Sequence, residues 1–306
     1  MTDSVGRLGA QSAVRRWQMD DVTFTYVVDG AMSMVPPRFF PAIPQHYWDD
    51  HPDQLNTHRQ VAMSAGGLLV QRGAHRLLID AGFGRITEDT PFGRVDSGEF
   101  LNTLHAIGVA PADIDVFALT HLHVDHTGWM FTETESHACE ATFPNAPYVV
   151  ADAEWAPLAR GGQPAEMPDR QAVVEGLRRH PGRSLIADGA VVAPGVVAVV
   201  TPGHSMGHTS YVVTSSTGRR LVAFGDAFHV PAQLSHPHWG SVSDSDPRAV
   251  PAARMRIISE LLKPDTYGFG FHFGDQPFGR VVYDDKPTPV WQPIHTTALY
   301  PPPRAG

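Results

Sequence analysis

Cysteine is almost missing from this chain: its 306 residues hold one, Cys139, so no intrachain disulfide can form and a cysteine-built zinc site is excluded. That usage fits a reducing compartment, and Cys139, a lone thiol, is read as structural. Long apolar runs are lacking as well. No stretch approaches the roughly 18 residues that a spanning helix needs, and the polar opening Met1–Arg16 has no apolar segment ahead of a cleavage site. The expectation is a cytoplasmic protein without a membrane partner. Positive charge is also short: 23 Lys and Arg against 32 Asp and Glu give a net charge of −9. No broad basic face is left to release counterions from a phosphate backbone, so nucleic acid is not expected as a partner. Gly (28) and Pro (27) follow no period, which excludes collagen and announces many loops. With 42% hydrophobic and 18% charged residues the composition is globular, neither disordered nor coiled coil.

What the chain has in quantity is histidine, 17 in all. Their setting follows from the pattern of elements. Val22–Asp29 reads as a strand, and 67–71 with 76–80 as a hairpin through Arg72-Gly73-Ala74. A helical pattern over 99–107 is stopped by Gly108, and the apolar run 114–119 leads straight into Thr120-His121-Leu122-His123-Val124-Asp125-His126-Thr127-Gly128-Trp129. Helical stretches near 153–160 and 165–179 precede strands at 191–200, 210–214 and 220–224. Asp246-Pro247 has the form of an N-cap followed by proline, opening a helix to about Lys263. A last strand, 266–271, reaches His272. Two strand-rich halves with trailing helices and no linker between them predict one α/β domain over 1–306, built of two packed sheets flanked by helices. Residues 1–16 are expected to be a flexible lead-in, 31–60 a loop or lid, and the Pro-rich 286–306 a surface tail.

In an extended segment side chains two apart point the same way, so His121 and His123 can share one ion, while Asp125 and His126 lie where the chain bends and can face a second. Imidazole and carboxylate suit a borderline divalent ion such as zinc. Three further segments place ligand types just after apolar strands: Thr201-Pro202-Gly203-His204-Ser205-Met206-Gly207-His208, Phe224-Gly225-Asp226, and Phe269-Gly270-Phe271-His272.

HLHVDH, TPGHSMGHTS, FGD and FHF, in that order over about residues 20–283, resemble the metallo-β-lactamase fold superfamily. The resemblance implies a four-layer αββα sandwich with a two-metal site along one edge of its sheets. It implies that His121, His123 and His204 hold one zinc ion and Asp125, His126 and His272 a second, with Asp226 bridging both. RLLIDAG is similar to the family strand whose terminal Asp80 orients the histidine loop, and His208 is expected to support the ligands. Two metals per chain imply hydrolysis, with Asp125 as a catalytic proton carrier.

His229, three residues past Asp226, stands where acyl-homoserine lactonases of this superfamily often carry tyrosine. The GD-x-x-H stretch resembles instead the methyl-parathion-hydrolase-like and broad lactonase branch, and makes His229 the second catalytic candidate. Trp129, Phe131, Phe228, Trp239 and the loop 34–48 are candidates for an apolar pocket wall, whereas His236 and His238 read as surface residues. The expected function is a dinuclear zinc hydrolase of a small apolar ester, a lactone first, with organophosphate triesters or aryl esters as side substrates. A polyketide-type thioesterase or cyclase of the same fold is the alternative enzyme, a non-catalytic metal-binding scaffold the alternative of another class. Assembly as a homodimer is left open.

Overall fold

The computed structural model describes residues 2–133, 139–161 and 170–302. Its larger sheet runs, in spatial order, Thr2–Ser4, Thr296–Tyr300, Val14–Met19, Val22–Met34, Val61–Arg72, His75–Ile79, Val116–Ala118, Tyr148–Ala151 and Arg183–Ile186. The smaller runs Val191–Ala193, Val196–Val200, Thr209–Thr214, Arg220–Ala223, Thr266–Phe269, Phe278–Tyr283 and Pro289–Pro293. Alternation within single strands explains why the sheets stack. Phe24, Tyr26, Leu68 and Val70 point to the space between the sheets, where they meet Tyr211, Val213, Leu221 and Phe269. Their sequence neighbours Val27 and Leu69 point outward, against Phe100 and Leu104 of the helix Phe100–Ala106, Trp129 and Trp155. On the far side Val212 and Val222 pack on Ile257, Ile258 and Leu261 of the helix Val250–Leu261. Helix, sheet, sheet, helix is the expected four-layer order. Among the described residues no helix is long and apolar enough to cross a membrane.

Several expectations need correction. Residues 1–16 are not a free lead-in: Thr2–Ser4 and the start of Val14–Met19 are strands, anchored by the buried Arg15, whose Nε and Nη2 each lie 2.6 Å from the Asp275 carboxylate. The tail from 286 does not wrap the surface irregularly, since Pro289–Pro293 closes one sheet and Thr296–Tyr300 inserts between two strands of the other. Residues 31–60 are less loop than expected, because the strand Val22–Met34 runs through their start and the short helices Pro36–Phe39 and Gln45–Asp50 follow. The helix expected from Asp246 opens at Val250, Asp246 accepting instead from the backbone N–H groups of Arg248 and Ala249 in a turn ahead of it. Strand 191–200 is a hairpin, turned at Gly195. The expected helix 165–179 is seen as Arg170–Arg179, its start lying outside the described residues. An unforeseen hairpin, Ile86–Thr90 with Gly93–Ser97, pairs with the far end of Val22–Met34.

Candidate metal centre

Two pairs of parallel strands, His75–Ile79 with Val116–Ala118 and Arg220–Ala223 with Thr266–Phe269, release their chains at one edge of the sandwich. Asp80, the histidine segment, Asp226 and His272 therefore converge from both sheets. Asp80 sits at φ 62°, a left-handed conformation that costs a non-glycine residue energy and persists only where its surroundings hold it. Its carboxylate is held by Thr120, accepting from the backbone N–H at 2.8 Å and from Oγ1 at 2.7 Å. Gly128 closes the same segment: its N–H donates to the Gly82 carbonyl at 2.7 Å, and a Cβ there would lie 1.7 Å from the Phe83 backbone.

The outer ring nitrogens fix where the protons are. Thr120 Oγ1 spends its proton on Asp80, so His121 Nδ1, 3.0 Å away, must be the donor and its Nε2 a bare lone pair. His204 Nδ1 lies 3.0 Å from Asp244 Oδ1, which likewise leaves Nε2 bare. Those two Nε2 atoms stand 3.1 Å apart, with His123 Nδ1 2.9 Å from His204 Nε2. Facing lone pairs in a buried site repel unless a cation lies between them. The second group repeats the logic. His126 Nδ1 donates to Asp80 Oδ2 at 2.8 Å and His272 Nδ1 to the Ser64 carbonyl at 2.9 Å. Both Nε2 atoms then face carboxylates: His126 is 3.2 Å and His272 3.1 Å from Asp226 Oδ1, and each is 3.5 Å from Asp125 Oδ2. His126 Nε2 and Asp226 Oδ1 are buried without a hydrogen-bond partner. A divalent cation answers each of these orphaned atoms, and the donor set fits zinc.

Ligand atoms of His121, His123 and His204 lie within 4.8 Å of one another, as do those of Asp125, His126, Asp226 and His272. All seven residues singled out in the sequence are thus brought into two adjoining groups that could hold metal. Charge follows the same division. Burial and the neighbouring imidazoles hold His121 far below its ordinary pKa and His123 at about 3. Burial opposes protonation of His126 too, but Asp125, Asp226 and Asp80 outweigh it and hold its pKa well above the ordinary value. The second group is accordingly the more anionic.

The sequence profile of the metallo-beta-lactamase superfamily matches residues 67–270, which carry six of the seven candidate ligands, all but His272. The chain belongs to the metallo-beta-lactamase superfamily. An N-acyl homoserine lactonase of Bacillus thuringiensis is 26% identical over 134 residues, 44% of this chain and 46% of that protein. The match therefore spans about half the length of that relative. Among solved structures, the dizinc quorum-quenching lactonase AidC superposes with a TM-score of 0.78 at 20% identity, over 92% of this chain and 97% of that one. The hydrolase AbOPH of the beta lactamase superfamily does so with 0.75 at 26% identity, over 93% and 98%.

Within this superfamily fold His229 reaches the centre. Its Nε2 lies 3.3 Å from Asp226 Oδ2, its ring stacks on His272 at 5.7 Å, and burial keeps its pKa below the ordinary value. It forms a third convergent group with His204 and Asp226. A cavity of about 420 Å³ opens over His123, Asp125, Asp226 and His229, walled by Met32, Met34, Met63, Phe39 and Phe92. Of the expected wall only the 34–48 loop contributes, through Met34 and Phe39. Trp129 is buried with its Nε1 donating to Asp29, Phe228 packs in the core, Trp239 stacks on His236, and Phe131 lines neighbouring cavities. Cys139 is exposed on a short strand.

Sequence reading missed three supports. Asp244 orients His204, as described. Glu154 accepts from the N–H groups of Leu122 and Gly207 and from Ser205 Oγ, joining both histidine loops. Asp29 gathers Trp129 Nε1, Ser97 Oγ and the N–H groups of Phe83, Gly84 and Phe100 under the cavity wall. None has a local motif, since the groups each one orients at the site lie far from it in sequence. His208, expected as support, accepts from the Asp226 N–H at 2.9 Å.

Proposed function

We propose that the protein is a metal-dependent hydrolase of small, apolar, uncharged lactones, with aryl esters and organophosphate triesters as side substrates. The observation that carries this reading is the pair of donor groups, their outer nitrogens already committed, at the floor of an apolar cavity. His121, His123 and His204 would hold one zinc ion, Asp125, His126 and His272 a second, and Asp226 would serve both. Bound there, the ions would supply Lewis acidity and a water of lowered pKa. The N-acyl homoserine lactonases among the relatives support a lactone as first substrate.

The chain's own residues do the rest. The methionine and phenylalanine wall excludes bulk water and seats the apolar arm of the substrate. Asp125 lines the cavity and its side chain is 15% exposed against 3% for Asp226, so it is the carboxylate placed to receive a proton and return it to the leaving oxygen. His229, kept neutral by burial, can donate a hydrogen bond to the ester oxygen that gains charge. Support for a single working unit over 1–306 comes from the two terminal segments, which both supply strands to the larger sheet.

The test is a screen of zinc-loaded protein on lactones, acyl thioesters, aryl esters and phosphotriesters. Lactones should give the highest kcat/KM. A thioester outrunning every lactone would favour the thioesterase reading, and a protein that binds zinc yet opens none of them would be a scaffold.

A further inference from the structure

Arg254 lies in the helix Val250–Leu261 with its side chain fully buried. A buried guanidinium is expensive unless its donors are used, and here three hydrogen bonds reach backbone carbonyls. Nε donates to Ala227 at 2.7 Å, and Nη1 to Trp239 at 2.6 Å and to Pro237 at 3.0 Å. Ala227 follows Asp226 directly and precedes His229 by two residues. The Trp239 carbonyl is shared with Gln233 Nε2 at 2.9 Å, and Gln233 Oε1 accepts the His229 N–H at 2.7 Å. Nη2 stands 3.7 Å from Asp244 Oδ2, an ion pair without a direct hydrogen bond, and Asp244 holds the outer nitrogen of His204. One fork thus fastens the segments that carry Asp226, His229 and Asp244.

We propose that Arg254 is a positioning residue of the metal centre, clamping these three segments so that Asp226, His204 and His229 converge. The proposal rests on the reading that the two donor groups hold metal. Two physical roles predict opposite signs. As a bare positive charge Arg254 would repel a nearby cation, and its removal would tighten metal binding. As a clamp it holds donors in place, and its loss loosens them. Three carbonyl hydrogen bonds against one 3.7 Å ion pair decide for the clamp.

Metal affinity, read by chelator competition on zinc-loaded wild type, Arg254→Lys, Arg254→Gln and Arg254→Ala, tests this without turnover. All three variants should bind zinc about 10- to 100-fold more weakly, the range typical for groups that orient metal ligands. Guanidinium ion at sub-denaturing concentration should restore affinity to Arg254→Ala. If Arg254→Ala or Arg254→Gln loses its near-ultraviolet circular dichroism, Arg254→Lys carries the test, since it keeps the charge and loses the fork. A folded Arg254→Lys protein with wild-type affinity overturns the proposal, as does tighter binding by Arg254→Gln. A wild type that binds no zinc overturns the proposed function instead.

Discussion

At the scale of single residues, Asp125 and His229 separate holding a metal from doing chemistry. Asp125→Asn keeps the shape and loses the proton acceptor, and positioned acid–base help is worth about 10² to 10⁴ in rate. Turnover on the best lactone should therefore fall at least about a hundredfold, and near-wild-type turnover with both ions bound would remove the residue from the mechanism. His229→Ala should lower kcat by about 10² to 10³, the cost of one lost donor to a developing oxyanion, while metal content by mass spectrometry stays unchanged. His229→Tyr should keep lactone activity. An alanine variant that loses metal would make His229 a ligand, consistent with its place beside His204 and Asp226. The seven donors were legible because strand-end histidines and aspartates leave a local pattern. Asp244, Glu154 and Arg254 were not, because each acts on backbone or ring atoms at least 15 residues away.

At the scale of elements, the last two strands show where composition misleads. Pro-rich sequence around Pro289 and Pro293 suggests a coil, yet this strand lies at a sheet edge, where missing N–H groups are tolerated. Trp291 on it packs against Phe224 and Phe273, behind the loop of His272. Ending the chain at Asp285 should lower stability by about 3 kcal/mol or more, comparable with deleting one large core aromatic. Denaturant unfolding measures it, and an unchanged midpoint would mean that these strands merely decorate the sheets. The helix Val250–Leu261 has its own pH signature. Burial raises the Glu260 carboxyl, but Lys263 and Arg220 outweigh it and lower its pKa below the ordinary 4.5. A carboxylate depressed in the folded state stabilises above its unfolded pKa and loses that contribution as pH falls through the folded one. Glu260→Gln should lower the thermal midpoint at neutral pH, and the difference from wild type should shrink below about pH 4.5. An equal difference at pH 3 and pH 7 would contradict this.

At the scale of the whole molecule, two sheets meet face to face so that strand ends from both deliver ligands to one edge; two strand-rich halves with trailing helices and no linker made the packed sheets readable, and the four-layer order came with the family resemblance. Of the cavity wall only Met34 and Phe39 of the 34–48 loop were readable, and the rest was not. Its hairpin, Ile86–Thr90 with Gly93–Ser97, carries mixed polar residues whose pairing with the end of Val22–Met34 no local period announces. The central claim is that two buried donor groups hold metal and that hydrolysis depends on it. Zinc titrated into chelator-stripped protein, with lactone opening followed at each step, tests it most directly. The account predicts no turnover without metal and a rise that saturates at about two ions per chain. Full lactone turnover by metal-free protein would contradict it.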